Sequence, residues 1–199
     1  GHDVAVEVAA KELRHAEAVQ RLAVTRDIRE RKEWERQRAE LLAQVQALAR
    51  IDPLTGVANR RVWEEELPRE LARARRTGRP LCVAILDLDH FKAYNDRHGH
   101  QAGDAHLRRT AAPWRRELRT IDVLARYGGE EFGILLPDCD LEQAREVLDR
   151  VRSATPNDQT ASAGVVRWDE RESADSLVAR ADAAMYRAKH AGRGVTVPA

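Results

Sequence analysis

The segment "ARYGGEEFGILLP", residues 125–137, places two adjacent carboxylates, Glu130 and Glu131, between a pair of glycines and an apolar run. The apolar run predicts a buried strand. An ionised carboxylate at the start of such a strand needs a partner, because burying an unpaired charge is costly. Two such carboxylates side by side indicate a metal ion or a cationic ligand.

A third carboxylate, Asp87, ends the run "LCVAILDLD" at residues 81–89, which is apolar on both faces until that point. Such a run is typical of a central strand, and open sheets bind ligands at the carboxyl ends of their strands. If this strand pairs with the one that begins near Glu131, Asp87 approaches both glutamates. Oxygen ligands of this kind suit Mg²⁺, which completes its shell with phosphate and water. Alternatively, these acids are solvated or form ion pairs with Arg126.

Polar and cationic residues follow the same strand and recur near the end of the chain. Asn95 and Asp104 lie downstream of Lys92, and an Asn with an Asp offers the donors and acceptors that a guanine edge can use. Lys189 and Arg193 are four residues apart and share one face if their helix persists, where such a pair can bind phosphates. The alternative is a charge cluster that ends a helix.

The elements that must position these residues alternate along the chain. The patterns favour helices at residues 59–76, 103–118, 141–154 and 174–192, and strands at 81–89, 122–127, 131–137, 160–168 and 194–197. Pro113 should kink or interrupt its helix. Helices interleaved with strands over about 145 residues indicate one α/β or α+β sandwich with a mixed central sheet.

The first quarter of the chain has a different composition. Residues from about 5 to 51 contain no Gly or Pro and are rich in Ala, Glu, Arg, Gln and Leu, which favours one long helix or two nearly continuous ones. We therefore divide the chain into a helical linker, 1–51, and a second domain, 52–199. The start "GHD" lacks a Met, which suggests a tag remnant or an excised fragment.

A heptad pattern within the linker predicts a dimer. Trp34, Leu41 and Leu48 recur at every seventh residue, with Val45 at the intermediate seam position of a coiled coil. The alternative is a solvated helix that lies on its own domain. We expect a coiled coil that joins two copies of the chain as a homodimer.

The overall composition excludes several classes of protein. The 199 residues contain 34 Lys and Arg against 33 Asp and Glu, so no basic field suggests a nucleic acid polymer as partner. The sequence has neither an apolar segment long enough to cross a bilayer nor the basic-then-apolar order of a signal peptide. We expect a cytoplasmic protein in which Cys82 and Cys139 are buried small hydrophobes.

Together these motifs resemble a known family. "RYGGEEF" resembles the signature of the GGDEF diguanylate cyclases in the variant with Glu at its centre. "DPLTGVANRR", "DLDHFKAYND", "GHQAGD", "SAGV" and "RADAAMYRAKHAGR" resemble the other motifs of the family in order and spacing, from residue 52 to about 194. The resemblance implies a nucleotidyl-cyclase fold, related to the palm of polymerases. It also implies condensation of two GTP into cyclic di-GMP and two pyrophosphates.

The resemblance assigns catalytic and metal-binding roles by position. Asp87, the carbonyl of Leu88 and Glu130 would bind Mg²⁺, for which Mn²⁺ is a possible substitute. Glu130 would also be the base for the ribose 3′-OH, and Glu131 would support the metal site.

Substrate contacts are implied in the same way. Asn95 and Asp104 would contact guanine, and His100 lies in the same segment. Cations would neutralise the triphosphate, and glycines would let the backbone approach it closely, where a Cβ would clash. The cations are Lys92, Lys189 and Arg193, and the glycines are Gly128 and Gly129.

The segment "RTID" matches the RxxD inhibitory motif of the family. Arg119 and Asp122 would bind the product, because Arg can pair with phosphate or stack on guanine and Asp can accept from the guanine edge. The alternative is a surface ion pair between residues three apart. The resemblance thus implies feedback inhibition by cyclic di-GMP.

The sequence departs from the family at two points. "GRG" replaces the usual GRN ending at Gly194, and Trp168 is unusual after "SAGVVR". The segment "TRDIRERKEWERQ" resembles the exit from a PAS-type sensor, which suggests that an upstream sensor domain was removed. The alternatives to an active cyclase are a non-catalytic receptor for cyclic di-GMP or GTP, a cyclase with another product, and a coiled-coil adaptor.

Overall fold

The computed structural model describes residues 6–15, 18–27, 31–34, 36–38 and 50–199. The chain divides into two compact units, Gly1–Ala49 and Arg50–Ala199. In the first unit, strands β1 (Val6–His15) and β2 (Ala18–Asp27) form an antiparallel pair.

The prediction of a continuous helix is therefore wrong for residues 6–27. Composition favoured a helix, but β-branched residues suit a pleated strand, and pairing satisfies the backbone of both strands from end to end. These β-branched residues are Val6, Val8, Val19, Val24 and Thr25.

The structure agrees with a helix only over short stretches of the linker. Residues 31–34 and 36–38 are helical, and the Trp34 side chain is 71% exposed. The other seam residues, Leu41, Val45 and Leu48, lie outside the described residues. The coiled coil therefore stays a prediction.

The second unit is built on a six-stranded mixed sheet with the order β3-β5-β6-β4-β7-β8. The outer pairs β3/β5 and β7/β8 are parallel, and the inner pairs are antiparallel. The strands are β3 (Ala58–Asn59), β4 (Leu81–Leu88), β5 (Val123–Gly128), β6 (Glu131–Pro137), β7 (Ala161–Arg167) and β8 (Thr196–Pro198). This confirms the predicted α+β fold with a mixed central sheet.

Five helices of this unit, labelled α1 to α5, connect the strands. They are α1 (Arg60–Thr77), α2 (Phe91–His98), α3 (His100–Arg116), α4 (Leu141–Ser153) and α5 (Ala174–His190). Pro113 does not interrupt α3, which continues to Arg116. Sequence patterns did not separate α2 from the loop after β4.

Each face of the sheet has its own apolar core, and β4 is fully buried between them. On one face, Leu86 packs with residues of α3 and α4 such as Trp114 and Leu148. On the other, Ile85 packs with residues of α1 and α5 such as Trp63 and Leu177. Because side chains alternate along a strand, Asp87 falls on the face of Ile85, toward α5.

Within the described residues, no helix combines the length and the apolar character that crossing a bilayer requires. Cys82 and Cys139 are both free and buried, as the sequence predicted.

Candidate active site at the carboxyl end of the central strand

The candidate site is formed where β4 ends beside β6. Asp87 and Glu131 are directly opposite each other in the antiparallel register, and the Leu88 amide donates to the Glu130 carbonyl over 3.4 Å. The predicted pairing of the central strand with the glutamate segment is therefore what the structure shows. It brings Asp87, Leu88, Glu130 and Glu131 to one end of the sheet.

Lys189 of α5 supplies the cation for this acidic end. Its Nζ lies 2.8 Å from Asp87 Oδ2, and the Asp87 side chain is only 8% exposed. Helix α5 approaches closely because β7 has a glycine, Gly164, beneath it. A Cβ there would lie 2.1 Å from the carbonyl oxygen of Ala181. A larger residue at 164 would push α5, and Lys189 with it, off the sheet.

Asp87 is a buried carboxyl with two other carboxylates nearby. Burial raises the pKa of its carboxyl to about 6, Lys189 opposes that rise, and Glu130 and Glu131 add to it. The ionised form is therefore costly here without more positive charge than Lys189 provides. Among the described residues, no group of three or more His, Cys, Asp and Glu side chains is arranged as a metal cluster.

Arg126 holds the glycine turn and not the paired glutamates. Its Nε and Nη2 donate to the Gly129 carbonyl over 2.9 and 2.8 Å, and its Nη1 lies 3.2 Å from Asp52 Oδ1. Asp52 also accepts from the Thr55 amide and hydroxyl. The alternative that Glu130 and Glu131 form ion pairs with Arg126 is therefore not what the structure shows.

The two glycines of this turn are not required by backbone conformation, since neither has a positive φ. A Cβ on Gly128 would lie 3.3 Å from Glu131 Oε2, whereas a Cβ on Gly129 would meet nothing within 4 Å. Gly129 thus borders open space, as the predicted close approach of a phosphate requires.

The predicted guanine contacts lie on α2 and α3. Asn95 is on α2, and its Oδ1 is buried without a hydrogen-bond partner. A Cβ on Gly103 would lie 1.8 Å from that oxygen, so a glycine is needed for Asn95 to sit there. Asp104 and His100 are exposed on α3. In this arrangement Asn95 Oδ1 faces Gly103 and is closed to a ligand, whereas the Asp104 carboxylate is open to solvent.

The predicted phosphate-binding cations are placed differently from one another. Lys92 is exposed on the first turn of α2. Helix α5 ends at His190, so Lys189 is helical but Arg193 lies beyond the helix in a left-handed turn, with φ 66°. The helix does not persist to Arg193, so the condition under which Lys189 and Arg193 would share one helical face is not met. The glycine at 192 and the positive φ values end the helix before it reaches Arg193.

Arg119 and Asp122 form a close pair at the other end of β6. The Arg119 amide and Nη2 donate to Asp122 over 2.8 and 3.1 Å, and Nη2 also donates to the Pro137 carbonyl. The Asp122 side chain is fully buried, while that of Arg119 is half exposed. The hydrogen bond to Asp122 raises the pKa of Arg119. The pair is therefore more buried and more extensively hydrogen-bonded than the surface ion pair that was the alternative interpretation.

Both departures from the family pattern have a structural explanation. Trp168 is buried in the core beneath α1 and α5, and its Nε1 donates to the Glu172 carbonyl over 3.2 Å. Gly194 has φ 58°, a left-handed conformation that Gly and Asn both adopt readily. A Cβ there would make only ordinary contact with Thr160.

A cavity of about 660 Å³ lies between α1 and α5 and reaches Glu131. Its walls are mainly apolar and include Trp63, Leu67 and Val178, whereas Asn95 and Asp104 do not line it. It is therefore separate from the predicted guanine contacts.

Sequence reasoning missed three residues that hold the site together. No role was predicted for Asp52 or Asp89, and Arg126 was predicted only as an alternative ion-pair partner of the acids. Asp89 is 3% exposed and accepts from Thr160, Ser162 and Gly194. The sequence signal that could have identified Asp89 is its position as a charged residue directly after a fully apolar strand, where a carboxylate needs hydrogen-bond partners.

Comparison with known proteins points to one family. Residues 49–195 match the family described as "Diguanylate cyclase, GGDEF domain". The chain is 45% identical over 155 residues to the diguanylate cyclase DgcP of Pseudomonas aeruginosa. The aligned region covers 73% of this chain and 23% of that protein. The chain thus spans about a quarter of that relative.

Solved structures show the same fold. The GGDEF domain of DgcB from Caulobacter crescentus in complex with c-di-GMP superposes with a TM-score of 0.71 at 36% identity, covering 75% of this chain and 95% of that chain. A structure of the coiled coil and GGDEF domain of DgcB from Caulobacter crescentus has a TM-score of 0.72 at 36% identity. The match covers 85% of this chain and 95% of that chain. The chain therefore belongs to the GGDEF family of diguanylate cyclase domains.

Proposed function

We propose that this chain is a catalytically active diguanylate cyclase that condenses two GTP into cyclic di-GMP and two pyrophosphates. The observation that carries the proposal is the acidic end of the sheet, where Asp87 lies opposite Glu131 and beside Lys189. An acid this crowded needs a cationic ligand, and a nucleotide with its metal supplies one. The family membership of residues 49–195 supports the same activity.

The residues at this end of the sheet fit a divalent cation. Burial and two neighbouring glutamates raise the pKa of Asp87, so a cation would relieve a repulsion that Lys189 alone does not remove. We assign Asp87, the Leu88 carbonyl and Glu130 as the groups that would hold Mg²⁺ or Mn²⁺. When bound, the metal would supply charge neutralisation and polarisation at the phosphates.

Each half-reaction joins the 3′-oxygen of one GTP to the α-phosphorus of the other. The bond between that phosphorus and the bridging oxygen of the β-phosphate breaks, and pyrophosphate leaves. Glu130 takes the 3′-OH proton, and Glu131 supports the metal site with its negative charge. Lys92, Lys189 and Arg193 neutralise the triphosphate, so charge stabilisation and alignment provide most of the catalysis.

Guanine recognition falls to α2 and α3. The Asp104 carboxylate, exposed on α3, would accept from the guanine N1 and N2 edge, and we assign Asn95 of α2 to the same base. Adenine lacks that pair of donors, which gives a preference for GTP over ATP. His100 lies one helical turn from Asp104 and borders the same space.

One domain holds one GTP, so the reaction requires two copies of the chain to face each other. We assign the seam of Trp34, Leu41, Val45 and Leu48 as the tether between them. The similarity to the coiled coil and GGDEF domain of DgcB over 85% of this chain supports such a linker. The cyclic product would bind at Arg119 and Asp122 and inhibit the enzyme. An upstream sensor domain would set the register of the linker.

The test is incubation of the purified chain with GTP and Mg²⁺, followed by mass spectrometry of the products. Cyclic di-GMP formed from GTP, and no cyclic dinucleotide from ATP, would support the proposal. Binding of cyclic di-GMP without any turnover would instead identify a receptor domain, and a cyclic product from ATP would contradict the guanine assignment.

A further inference from the structure

Asp89 is a buried carboxylate that the proposed chemistry does not use. It is 3% exposed, and its two oxygens accept three hydrogen bonds: from the Thr160 hydroxyl over 2.6 Å, the Ser162 hydroxyl over 2.7 Å and the Gly194 amide over 3.0 Å. All three donors are neutral. Dipoles aimed at both oxygens stabilise the buried charge and occupy three of the roughly four lone-pair sites of the carboxylate.

The position of Asp89 in the chain links two parts of the site. It follows β4 directly, two residues after Asp87 and three before Lys92. Its own amide donates to the Thr160 carbonyl over 2.9 Å, which fixes the backbone at the strand end. Its carboxylate then reaches Gly194, the residue after Arg193. One side chain thus connects the strand that carries the acidic ligands to the turn that carries a phosphate-binding cation.

The turn itself depends on such contacts. Arg193 and Gly194 have φ values of 66° and 58°, and a non-glycine residue in this region persists only when its surroundings hold it. The Gly194 amide donates to Asp89, and its carbonyl accepts from the Arg152 guanidinium. Arg152 is in turn fixed by Thr196, whose hydroxyl lies 2.8 Å from its Nε. Residue 194 is therefore clamped between an anion and a cation.

We propose that Asp89 is a positioning residue that fixes Arg193 relative to Asp87, so that the triphosphate meets a preorganised cation. Asp89 does not touch the substrate. Its effect passes through the Gly194 amide to Arg193, and it therefore acts on GTP affinity more than on the chemical step. The inference rests on the proposed function, because Arg193 is a phosphate ligand only if the chain binds GTP.

The first test compares Asp89→Ala with Asp89→Asn. We expect the alanine variant to raise KM for GTP by about tenfold with a smaller change in kcat, as for the loss of an aligned binding group. An asparagine can place Oδ1 toward Thr160 and Gly194 and donate from Nδ2 to the Ser162 hydroxyl. The asparagine variant should therefore stay within about threefold of the wild type.

A double-mutant cycle with Arg193→Ala separates positioning from general destabilisation. If Asp89 acts through Arg193, Asp89→Ala adds less than about twofold to KM once Arg193 is absent. Leu67→Ala, a core truncation in α1, is the control: it should lower the melting temperature and leave KM unchanged. If Asp89→Ala does not fold, Thr160→Val removes one of the three donors and should show a smaller effect of the same kind.

Fully additive effects of the Asp89 and Arg193 variants on KM would overturn the proposal. An asparagine variant as impaired as the alanine variant would also overturn it. If the wild type forms no cyclic di-GMP, the same cycle is run on the Kd for GTP and Mg²⁺, measured by calorimetry. Failed turnover then counts against the proposed function, whereas additive changes in Kd count against the role of Asp89.

Discussion

The Lys189 ammonium lies 2.8 Å from the Asp87 carboxylate, so a residue assigned to the substrate phosphates is paired with a residue assigned to the metal. Both groups are at the end of β4, and the Asp87 side chain is almost fully buried. A cation that took the place of Lys189 beside Asp87 would leave the lysine fully available to phosphate. We propose that the pair would couple metal binding to substrate binding, because a divalent ion held at Asp87 would compete with the lysine for that carboxylate.

The raised pKa of Asp87 predicts a trade-off between stability and activity. Because its pKa is about 6 in the folded domain and 3.8 for an unperturbed aspartate, the folded state binds more protons between these pH values, and stability falls as pH rises through them. Asp87→Asn removes this dependence. In metal-free buffer near pH 7.5 it should stabilise the domain by about 2–3 kcal/mol while abolishing cyclic di-GMP synthesis.

Urea unfolding of the wild type and the Asp87→Asn variant between pH 4 and 8 measures this effect. The two curves should converge at the acidic end and separate as pH rises. An asparagine variant that is less stable than the wild type at pH 7.5 would show that the Lys189 pair outweighs the cost of burying the charge.

Asp52 predicts the opposite pH dependence. Burial opposes its ionisation, but hydrogen bonds from Thr55 and the charge of Arg126 outweigh burial and lower its pKa. A depressed pKa contributes stability above the unfolded value and loses it as pH falls through the folded one. Asp52→Asn should therefore cost about 1–2 kcal/mol at pH 7 and progressively less below about pH 4.

Thermal unfolding of Asp52→Asn across this pH range checks the prediction, with Asp158→Asn as a control at a surface turn. Because Arg126 also holds the Gly129 carbonyl, the variant should lose synthesis along with stability. A loss of stability that is the same at pH 3 and pH 7 would mean that the ionised carboxylate of Asp52 contributes nothing.

The sequence predicted the sheet and the convergence of the acids because both depend on local patterns. A strand apolar on both faces must be central, and a carboxylate at its end must lie at the ligand-binding edge. The pairing of Asp87 with Lys189 was not predictable in this way. It depends on how closely α5 packs on Gly164, which only the assembled layers determine.

The errors have equally specific origins. Composition alone favoured a helix over residues 6–27, where the structure has paired strands. The contacts of Asp89 with Thr160, Ser162 and Gly194 join segments some 70 to 105 residues apart, so no local pattern indicates them. Long-range hydrogen bonds of this kind follow from register and loop geometry, which periodicity does not encode.

Arg119→Ala should weaken product inhibition without removing the GTP site. We expect the concentration of cyclic di-GMP for half inhibition to rise by about tenfold or more, since the guanidinium that would pair with phosphate or stack on guanine is lost. The buried Asp122 carboxylate also loses its side-chain partner, at a cost of about 1–2 kcal/mol, because Arg119 is half exposed.

The double variant Arg119→Ala with Asp122→Asn is the matched control. Replacing the unpaired Asp122 carboxylate by an amide should restore part of the lost stability but should not restore inhibition by cyclic di-GMP. If added cyclic di-GMP inhibits the wild type and Arg119→Ala equally, this pair is not the inhibitory site.

The linker prediction concerns residues outside the described part of the chain. Leu41→Asp with Leu48→Asp should yield monomers with a folded cyclase domain. Tethering raises the effective concentration of the second domain to about millimolar, so the specific activity of the monomers should be low and depend on protein concentration. Sedimentation alongside a dilution series tests this. Unchanged dimerisation, or activity indifferent to dilution in a proven monomer, would rule out this tether.

The central claim is that the carboxylates at the end of β4 catalyse the condensation of two GTP. Glu130→Gln keeps the shape of the side chain and removes one charge, so the fold and the GTP contacts of α2 and α3 should persist. The decisive measurement is the cyclic di-GMP and pyrophosphate formed from GTP and Mg²⁺ by the wild type and by this variant. The wild type should release two pyrophosphates per cyclic di-GMP, and the variant should form neither. Synthesis by Glu130→Gln at the wild-type rate would contradict the account.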